Sequence, residues 1–113
     1  MNLLTCKWYP AANAGEIPER EGRKVKFRDL EVAVFYINGE YRAIDNICPH
    51  RGGPLADGIV AGESVFCPLH NWKFDLKSGC ALSGGTGQVK TYPVKLIDNK
   101  ICIAFDEGKF SQP

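Results

Sequence analysis

The sequence predicts an all-β fold, in which antiparallel strands form a base and carry a loop-rich insert over roughly residues 46–83. Twelve glycines and seven prolines among 113 residues indicate many turns. No long segment shows the period of an amphipathic helix. A chain of this length fits one domain, so we expect residues 1–113 to form a single unit.

The elements are predicted in chain order from alternation and turn residues. The first strand is expected to end near Tyr9, with Pro10 closing it. In "GRKVKF", Val25 and Phe27 alternate with charged residues, which is typical of a half-buried strand. "EVAVFYINGEYRAID" predicts a hairpin that turns at Asn38-Gly39, and "VKLIDNKICIAF" predicts a second at Asp98-Asn99. Between them we expect three short strands, around Ser64–Phe66, Lys73–Asp75 and Ala81–Ser83.

Composition narrows the function classes. The formal net charge of +1 does not indicate binding to nucleic acid or to a membrane surface. The start, "MNLLTCKWYP", lacks the charged and apolar regions of a signal peptide, so we expect a soluble cytoplasmic protein. Disulfides are rare in that compartment. Of the five cysteines, three are expected to be small packing residues: Cys6, Cys80 and Cys102.

The chain has two histidines, and each follows a cysteine closely in a proline-containing loop. The loops read "CPHRGGPL" from Cys48 and "CPLHNWKF" from Cys67, which gives C-x-H, sixteen residues, then C-x-x-H. Thiolate and imidazole ligands suit zinc or an iron–sulfur centre better than magnesium or calcium. The candidate ligands are therefore Cys48, His50, Cys67 and His70.

Three kinds of chemistry fit such residues. A nucleophilic cysteine needs one Cys-His pair with an orienting partner, and two similar pairs would be redundant. A structural zinc site with two cysteines and two histidines remains an alternative. However, each loop here mixes the two ligand types, which suits two metal positions, as in a Rieske centre where two histidines replace two cysteines on one iron.

The pattern resembles the Rieske [2Fe–2S] domain family over nearly the whole chain. The resemblance implies a Rieske-type antiparallel β-sandwich or barrel base with a small loop-rich cluster-binding subdomain. It also implies that Cys48 and Cys67 bind the iron that stays ferric, whereas His50 and His70 bind the iron that takes the electron. No catalytic residue is implied on this chain.

Comparison with high-potential Rieske proteins predicts a low reduction potential. Those proteins have a disulfide-forming cysteine in each loop, at positions where this chain has Gly53 and Leu69. They also have hydroxyl groups that donate to the cluster sulfurs, where this chain has Trp72 and Phe74. With fewer donors to sulfur, we expect a potential on the order of −150 mV, toward the low end of the Rieske range.

Within the family, several stretches are similar to the small subunit of assimilatory NAD(P)H-dependent nitrite reductase. They are "REGRKVKF", "NGEYRAIDNICPH", "PHRGGPL", "NWKFDL" and "VKTYPV". That resemblance implies a large partner subunit with flavin, a [4Fe–4S] cluster and sirohaem, which reduces nitrite to ammonium. The alternative is a soluble ferredoxin for an aromatic-ring or other non-haem iron oxygenase. In both cases the substrate site is expected on the partner and not on this chain. The rim that faces the partner is expected to consist of Arg51, Leu55, Trp72 and Lys73.

Overall fold

The computed structural model describes residues 6–27, 30–48, 54–68, 72–83 and 87–106, and within these ranges the strands form three antiparallel sheets. The strands are β1 (Cys6–Asn13), β2 (Glu21–Phe27), β3 (Leu30–Ile37), β4 (Glu40–Asp45), β5 (Ile59–Ala61), β6 (Ser64–Phe66), β7 (Lys73–Asp75), β8 (Ala81–Ser83), β9 (Thr91–Tyr92), β10 (Val94–Ile97) and β11 (Lys100–Asp106). A single 3₁₀ turn in the described ranges covers Leu55–Asp57. The all-β prediction is confirmed.

Each sheet has a simple strand order. The base sheet has the order β1-β11-β10, and the middle sheet has the order β2-β3-β4-β9. The insert sheet, β5-β6-β7-β8, is built entirely from the segment between β4 and β9. The insert therefore has its own hydrogen-bonded framework.

Both predicted hairpins form where the turn residues indicated. Asn38 and Gly39 have φ angles of 53° and 79°, and Asp98 and Asn99 have 50° and 66°. Two consecutive positive φ values are the mark of the type I′ turn, whose twist matches that of the flanking strands.

The prediction that Pro10 closes the first strand is wrong. β1 continues to Asn13, and Pro10 pairs with Cys102 of β11. The register shifts between Pro10 and Ala12. Among the described strands, β1 pairs with β11 alone and so lies at an edge of the base sheet. A proline is tolerated at such a place because an edge strand or a bulge does not need its missing N–H.

The middle sheet is covered on both faces. The insert core lies between the middle and insert sheets, and Ala33, Phe35 and Ile37 of β3 belong to it. The base core lies between the middle and base sheets, and it contains Val32 and Val34 of β3 together with Ile101 and Ile103 of β11. Burial on both faces explains why β3 reads as a nearly continuous apolar run.

The three short strands predicted in the insert are confirmed, but β5 and β9 were not predicted. β9 has two residues, too few to show a period. In β5 the outward-facing Ile59 is apolar although it is 73% exposed, so the apolar–polar alternation is missing. Among the described residues, none belongs to a helix long and apolar enough to cross a bilayer.

Candidate metal centre

Two of the four predicted ligands are placed together in the insert core. Cys48 follows β4 and Cys67 follows β6, and they are 1% and 0% exposed. Both belong to the same cluster of buried residues. His50 and His70 lie outside the described residues, so their part in the site stays a prediction.

The first Cys/His loop is closed at its base by backbone contacts. Leu55 N–H donates to Asn46 O at 2.7 Å. Ile47 and Pro54 form an isolated antiparallel bridge. The two ends of the segment that contains Cys48 and His50 therefore lie side by side at the end of β4.

The second loop is closed in a similar way. Cys67 N–H donates to Trp72 O at 2.7 Å, and Phe66 pairs with Lys73 in the β6–β7 hairpin. His70 belongs to the sequence between these two closing residues. Each buried cysteine thus lies at the base of a loop that also contains a histidine, which is the arrangement that a mixed donor set requires.

A third segment closes the insert sheet. Gly79 N–H donates to Asp75 O and Val89 N–H donates to Gly79 O, both at 2.8 Å. Gly79 has a φ of +80°, and a Cβ at this position would lie 2.1 Å from Val89 O. Only glycine meets both demands, and Val89 can then join the insert core beside the cysteines.

The described donor atoms fit a soft metal. Thiolate sulfur is the ligand that iron–sulfur centres and zinc prefer, and here two cysteine side chains share one buried cluster. The described residues alone contain no group of three or more His, Cys, Asp or Glu side chains placed to hold a metal. The two thiols are therefore half of the predicted four-ligand set, and the imidazoles are the other half.

Trp72 and Phe74, the two residues compared with the hydroxyl donors of high-potential Rieske proteins, both lie within the described residues. Phe74 is fully buried in the insert core, and its side chain has no hydrogen-bond donor. Trp72 is half-buried and packs against the same core, with its ring centroid 6.4 Å from that of Phe74. The structure therefore places aromatic side chains against the insert core at the two positions where the sequence comparison predicted that hydroxyl donors are missing.

The predicted partner-facing rim needs one correction. Leu55 is 0% exposed and belongs to the insert core, so it cannot contact a partner. It begins the 3₁₀ turn that packs beneath the middle sheet. Lys73 is half-buried with its Nζ 5.5 Å from the Phe66 ring centroid, and Arg51 lies outside the described residues.

The remaining cysteines differ from one another. Cys102 is 6% exposed, which confirms the packing role predicted for it. Cys80 is exposed, so that prediction is wrong at this position. The side chain of Cys6 lies outside the described residues.

The end of β4, where the first loop begins, is tied to β9 by a carboxylate. Tyr92 Oη–H donates to Asp45 Oδ1 at 2.6 Å, and Lys90 N–H donates to Asp45 Oδ2 at 3.1 Å. Burial raises the pKa of the Tyr92 phenol above its usual value, and the hydrogen bond to Asp45 raises it further. Tyr92 therefore stays protonated over the ordinary pH range and acts as a fixed donor.

One residue of the site was not found by sequence reasoning. Asn46 is 0% exposed, and it is hydrogen-bonded to Glu31 of β3 and to Leu55 and Ala56 at the returning end of the first loop. The sequence signal that could have singled out Asn46 was weak, because an asparagine after a strand is usually a turn residue. Its position two residues before Cys48 was the available indication.

Comparison with known proteins gives a consistent family. Residues 7–93 match the family model of the Rieske [2Fe-2S] domain. The ferredoxin component of the naphthalene 1,2-dioxygenase/salicylate 5-hydroxylase systems of a Ralstonia species is 36% identical over 104 residues, covering 91% of this chain and 100% of that protein.

Solved structures agree with this assignment. A ferredoxin of Sphingomonas yanoikuyae B1 superposes with a TM-score of 0.82 and 29% identity, covering 89% of this chain and 99% of that one. A candidate NADH-dependent nitrite reductase small subunit of Mycobacterium tuberculosis superposes with a TM-score of 0.81 and 25% identity, covering 88% of this chain and 96% of that one.

Proposed function

Because this chain belongs to the Rieske [2Fe–2S] domain family, we propose that it is a ferredoxin that delivers single electrons to an oxygenase of the aromatic-ring dioxygenase type. Its fold is the Rieske ferredoxin fold, and its cofactor is the Rieske [2Fe–2S] cluster, as the sequence predicted. The cluster supplies one-electron redox chemistry when it is bound. This assignment replaces the alternative of a structural zinc module.

The choice of an oxygenase as the partner rests on the sequence similarity to the Ralstonia ferredoxin component. The similarity extends over all of that protein, so it includes the base as well as the two ligand loops. The sequence motifs had favoured a nitrite reductase small subunit, and this relation supports the oxygenase ferredoxin instead.

The nitrite reductase small subunit is the second candidate. The structural similarity to the Mycobacterium tuberculosis protein supports it, together with the loop "PHRGGPL". In that case the partner would be the large sirohaem and flavin subunit. The two candidates share the electron-carrying role and differ in the protein that receives the electron.

We further propose that the cluster is held by Cys48 and Cys67 on one iron and by His50 and His70 on the other. Support comes from the burial of both cysteines in one core, each at the base of a loop that contains a histidine in the sequence. In this proposal residues 1–113 form a single cytoplasmic Rieske domain, with a cluster-binding subdomain at about 46–83. The donor-free side chain of Phe74 supports a reduction potential near the low end of the family range.

The ligand assignment is tested by serine substitutions with an internal control. Cys48→Ser and Cys67→Ser are expected to abolish the binding of about two iron and two sulfide ions per chain, because each removes a thiolate from one iron. Cys102→Ser alters another buried cysteine, in the base sheet, and should leave the iron and sulfide content unchanged. Full iron content in Cys67→Ser would contradict the assignment.

The partner is tested with the loaded protein. The chain is reduced anaerobically and mixed separately with an aromatic-ring dioxygenase and with a sirohaem nitrite reductase large subunit, and reoxidation is followed by visible absorbance. We expect rapid, saturable reoxidation by the oxygenase and product formation that depends on the chain. Reoxidation by the nitrite reductase subunit alone would establish the second candidate instead.

A further inference from the structure

We propose that Asn46 is a positioning residue that holds the first ligand loop closed and so controls how firmly the cluster is retained. The inference rests on the ligand assignment proposed above, in which this loop supplies Cys48 and His50. It concerns a residue that binds no iron and touches no partner.

Asn46 makes four hydrogen bonds from a fully buried position. On one side, its N–H donates to Glu31 O at 2.9 Å and its Nδ2 donates to Glu31 Oε1 at 3.1 Å. On the other side, its backbone oxygen accepts from Leu55 N at 2.7 Å and its Oδ1 accepts from Ala56 N at 2.8 Å. One side chain therefore joins β3 to the returning end of the loop.

The partners determine the orientation of the side-chain amide. The Ala56 N–H can only donate, so the atom that faces it must be the oxygen, Oδ1. Nδ2 then faces the Glu31 carboxylate, which can only accept when it is ionised. A buried position that needs an acceptor on one side and a donor on the other is matched by asparagine, and neither leucine nor aspartate meets both needs.

The consequence for the cluster follows from where these bonds lie. Asn46 is two residues before Cys48, and its partners Leu55 and Ala56 begin the 3₁₀ turn where the loop rejoins the core. Without the side chain, the Ala56 N–H would stay buried without this acceptor, which costs on the order of 1–3 kcal/mol. Groups that hydrogen-bond directly to metal ligands change metal affinity by roughly 10–100-fold. Asn46 acts through the backbone of the loop, so its effect should lie at the low end of that range.

The test compares Asn46→Ala with a variant that should be at least as unstable. Ile103→Ala removes a fully buried side chain in the base core, which contains neither Cys48 nor Cys67. Loss of cluster absorbance is timed in the presence of an iron chelator, at a temperature where circular dichroism shows both variants folded. We expect Asn46→Ala to lose its cluster about 10-fold faster than wild type, and Ile103→Ala to lose it at close to the wild-type rate.

An exchange of donor and acceptor provides the rescue. Asn46→Asp keeps the acceptor for Ala56 but places a second carboxylate against Glu31, so the cluster should be lost quickly. Adding Glu31→Gln restores a donor to this contact and should restore retention. Rescue by this second substitution, which adds no apolar contact, would distinguish the hydrogen bonds of Asn46 from a general effect on core packing.

The outcomes separate this inference from the proposed function. A wild-type chain that takes up no iron or sulfide would contradict both the proposed function and this inference. A loaded wild-type protein and an Asn46→Ala variant with equal rates of cluster loss overturn only the inference, and so does equally fast loss from Ile103→Ala. If Asn46→Ala does not fold, the double variant Asn46→Asp with Glu31→Gln decides. Cluster loss as fast as in Asn46→Asp alone would then overturn the inference.

Discussion

Tyr92→Phe removes one oxygen from the contact that ties β9 to the end of β4. The lost bond is the 2.6 Å hydrogen bond from the phenol to Asp45 Oδ1. The ring remains, and so do its packing in the base core and its contact with Lys90, whose Nζ lies 5.4 Å from the ring centroid. The variant therefore isolates the contribution of a single hydroxyl group.

The expected loss of stability follows from the charge and burial of this bond. Hydrogen bonds to charged groups contribute roughly 1.5–3 kcal/mol, and Tyr92 is 7% exposed. We expect a decrease of about 2 kcal/mol in the free energy of unfolding. With a urea dependence of about 1–3 kcal/mol per molar, the unfolding midpoint should fall by about 1 M.

Anaerobic urea unfolding of the loaded protein, followed by circular dichroism, measures this change. Tyr41→Phe is the matched control, because its hydroxyl accepts only a long 3.4 Å contact from Gly15 N in an exposed place. Its effect should stay within about 0.5 kcal/mol. If the two variants lose equal stability, the Asp45 contact does not hold β9 as described.

The same hydroxyl predicts how stability changes in alkali. The folded-state pKa of Tyr92 is raised, first by burial and then by the bond to Asp45, whereas the unfolded chain ionises near pH 10. The contribution is therefore complete below about pH 10 and is lost as the pH rises from there toward the folded-state value, by about 1.4 kcal/mol per pH unit. The stability difference between wild type and Tyr92→Phe should narrow accordingly, and a constant difference would contradict the raised pKa.

Two further predictions concern the insert sheet. Gly58 has a φ of −76°, so alanine is not strained there, but its Cβ would lie 2.1 Å from Phe66 O. Gly58→Ala should therefore cost about 1–3 kcal/mol. It should lower the melting temperature more than Glu63→Ala, which shortens an exposed side chain and should change the stability by no more than about 0.5 kcal/mol. Burial raises the pKa of Asp75, but hydrogen bonds, chiefly the one from Ser78 N–H at 2.7 Å, lower it by more. The net shift of the pKa is therefore downward. Its stabilising effect is present above about pH 4 and is lost as the pH falls through the folded-state value. The difference in melting temperature between wild type and Asp75→Asn should thus narrow on acidification, and a difference that keeps the same size from pH 6 to pH 2 would contradict the lowered pKa.

Features set by neighbouring residues could be predicted from the sequence. The two hairpins follow from Asn38-Gly39 and Asp98-Asn99, because the φ preferences of those residues are local. The all-β class follows from turn frequency and short alternating runs. The pairing of Cys and His in two loops was sufficient to indicate the cofactor, because few metal centres use mixed loops.

Features set by distant partners could not be predicted. Pro10 continues β1 because that strand lies at an edge, and edge position depends on the order of strands in the sheet. Leu55 is buried because the 3₁₀ turn packs against β2 and β3, close to Gly22. Asn46 depends on Glu31, fifteen residues earlier in the chain. The choice between two electron acceptors belongs to exposed surfaces, about which short loop motifs carry little information.

The double coverage of β3 has a consequence for redesign. Val34 and Phe35 are consecutive, yet Val34 packs in the base core and Phe35 packs in the insert core, which is proposed to hold the cluster. Substitutions at alternate positions of this strand would therefore adjust the two halves independently. To strengthen cluster retention, an engineer would vary Ala33, Phe35 and Ile37 and keep Glu31, the partner of Asn46. Val32 and Val34, which belong to the base core, would also stay unchanged.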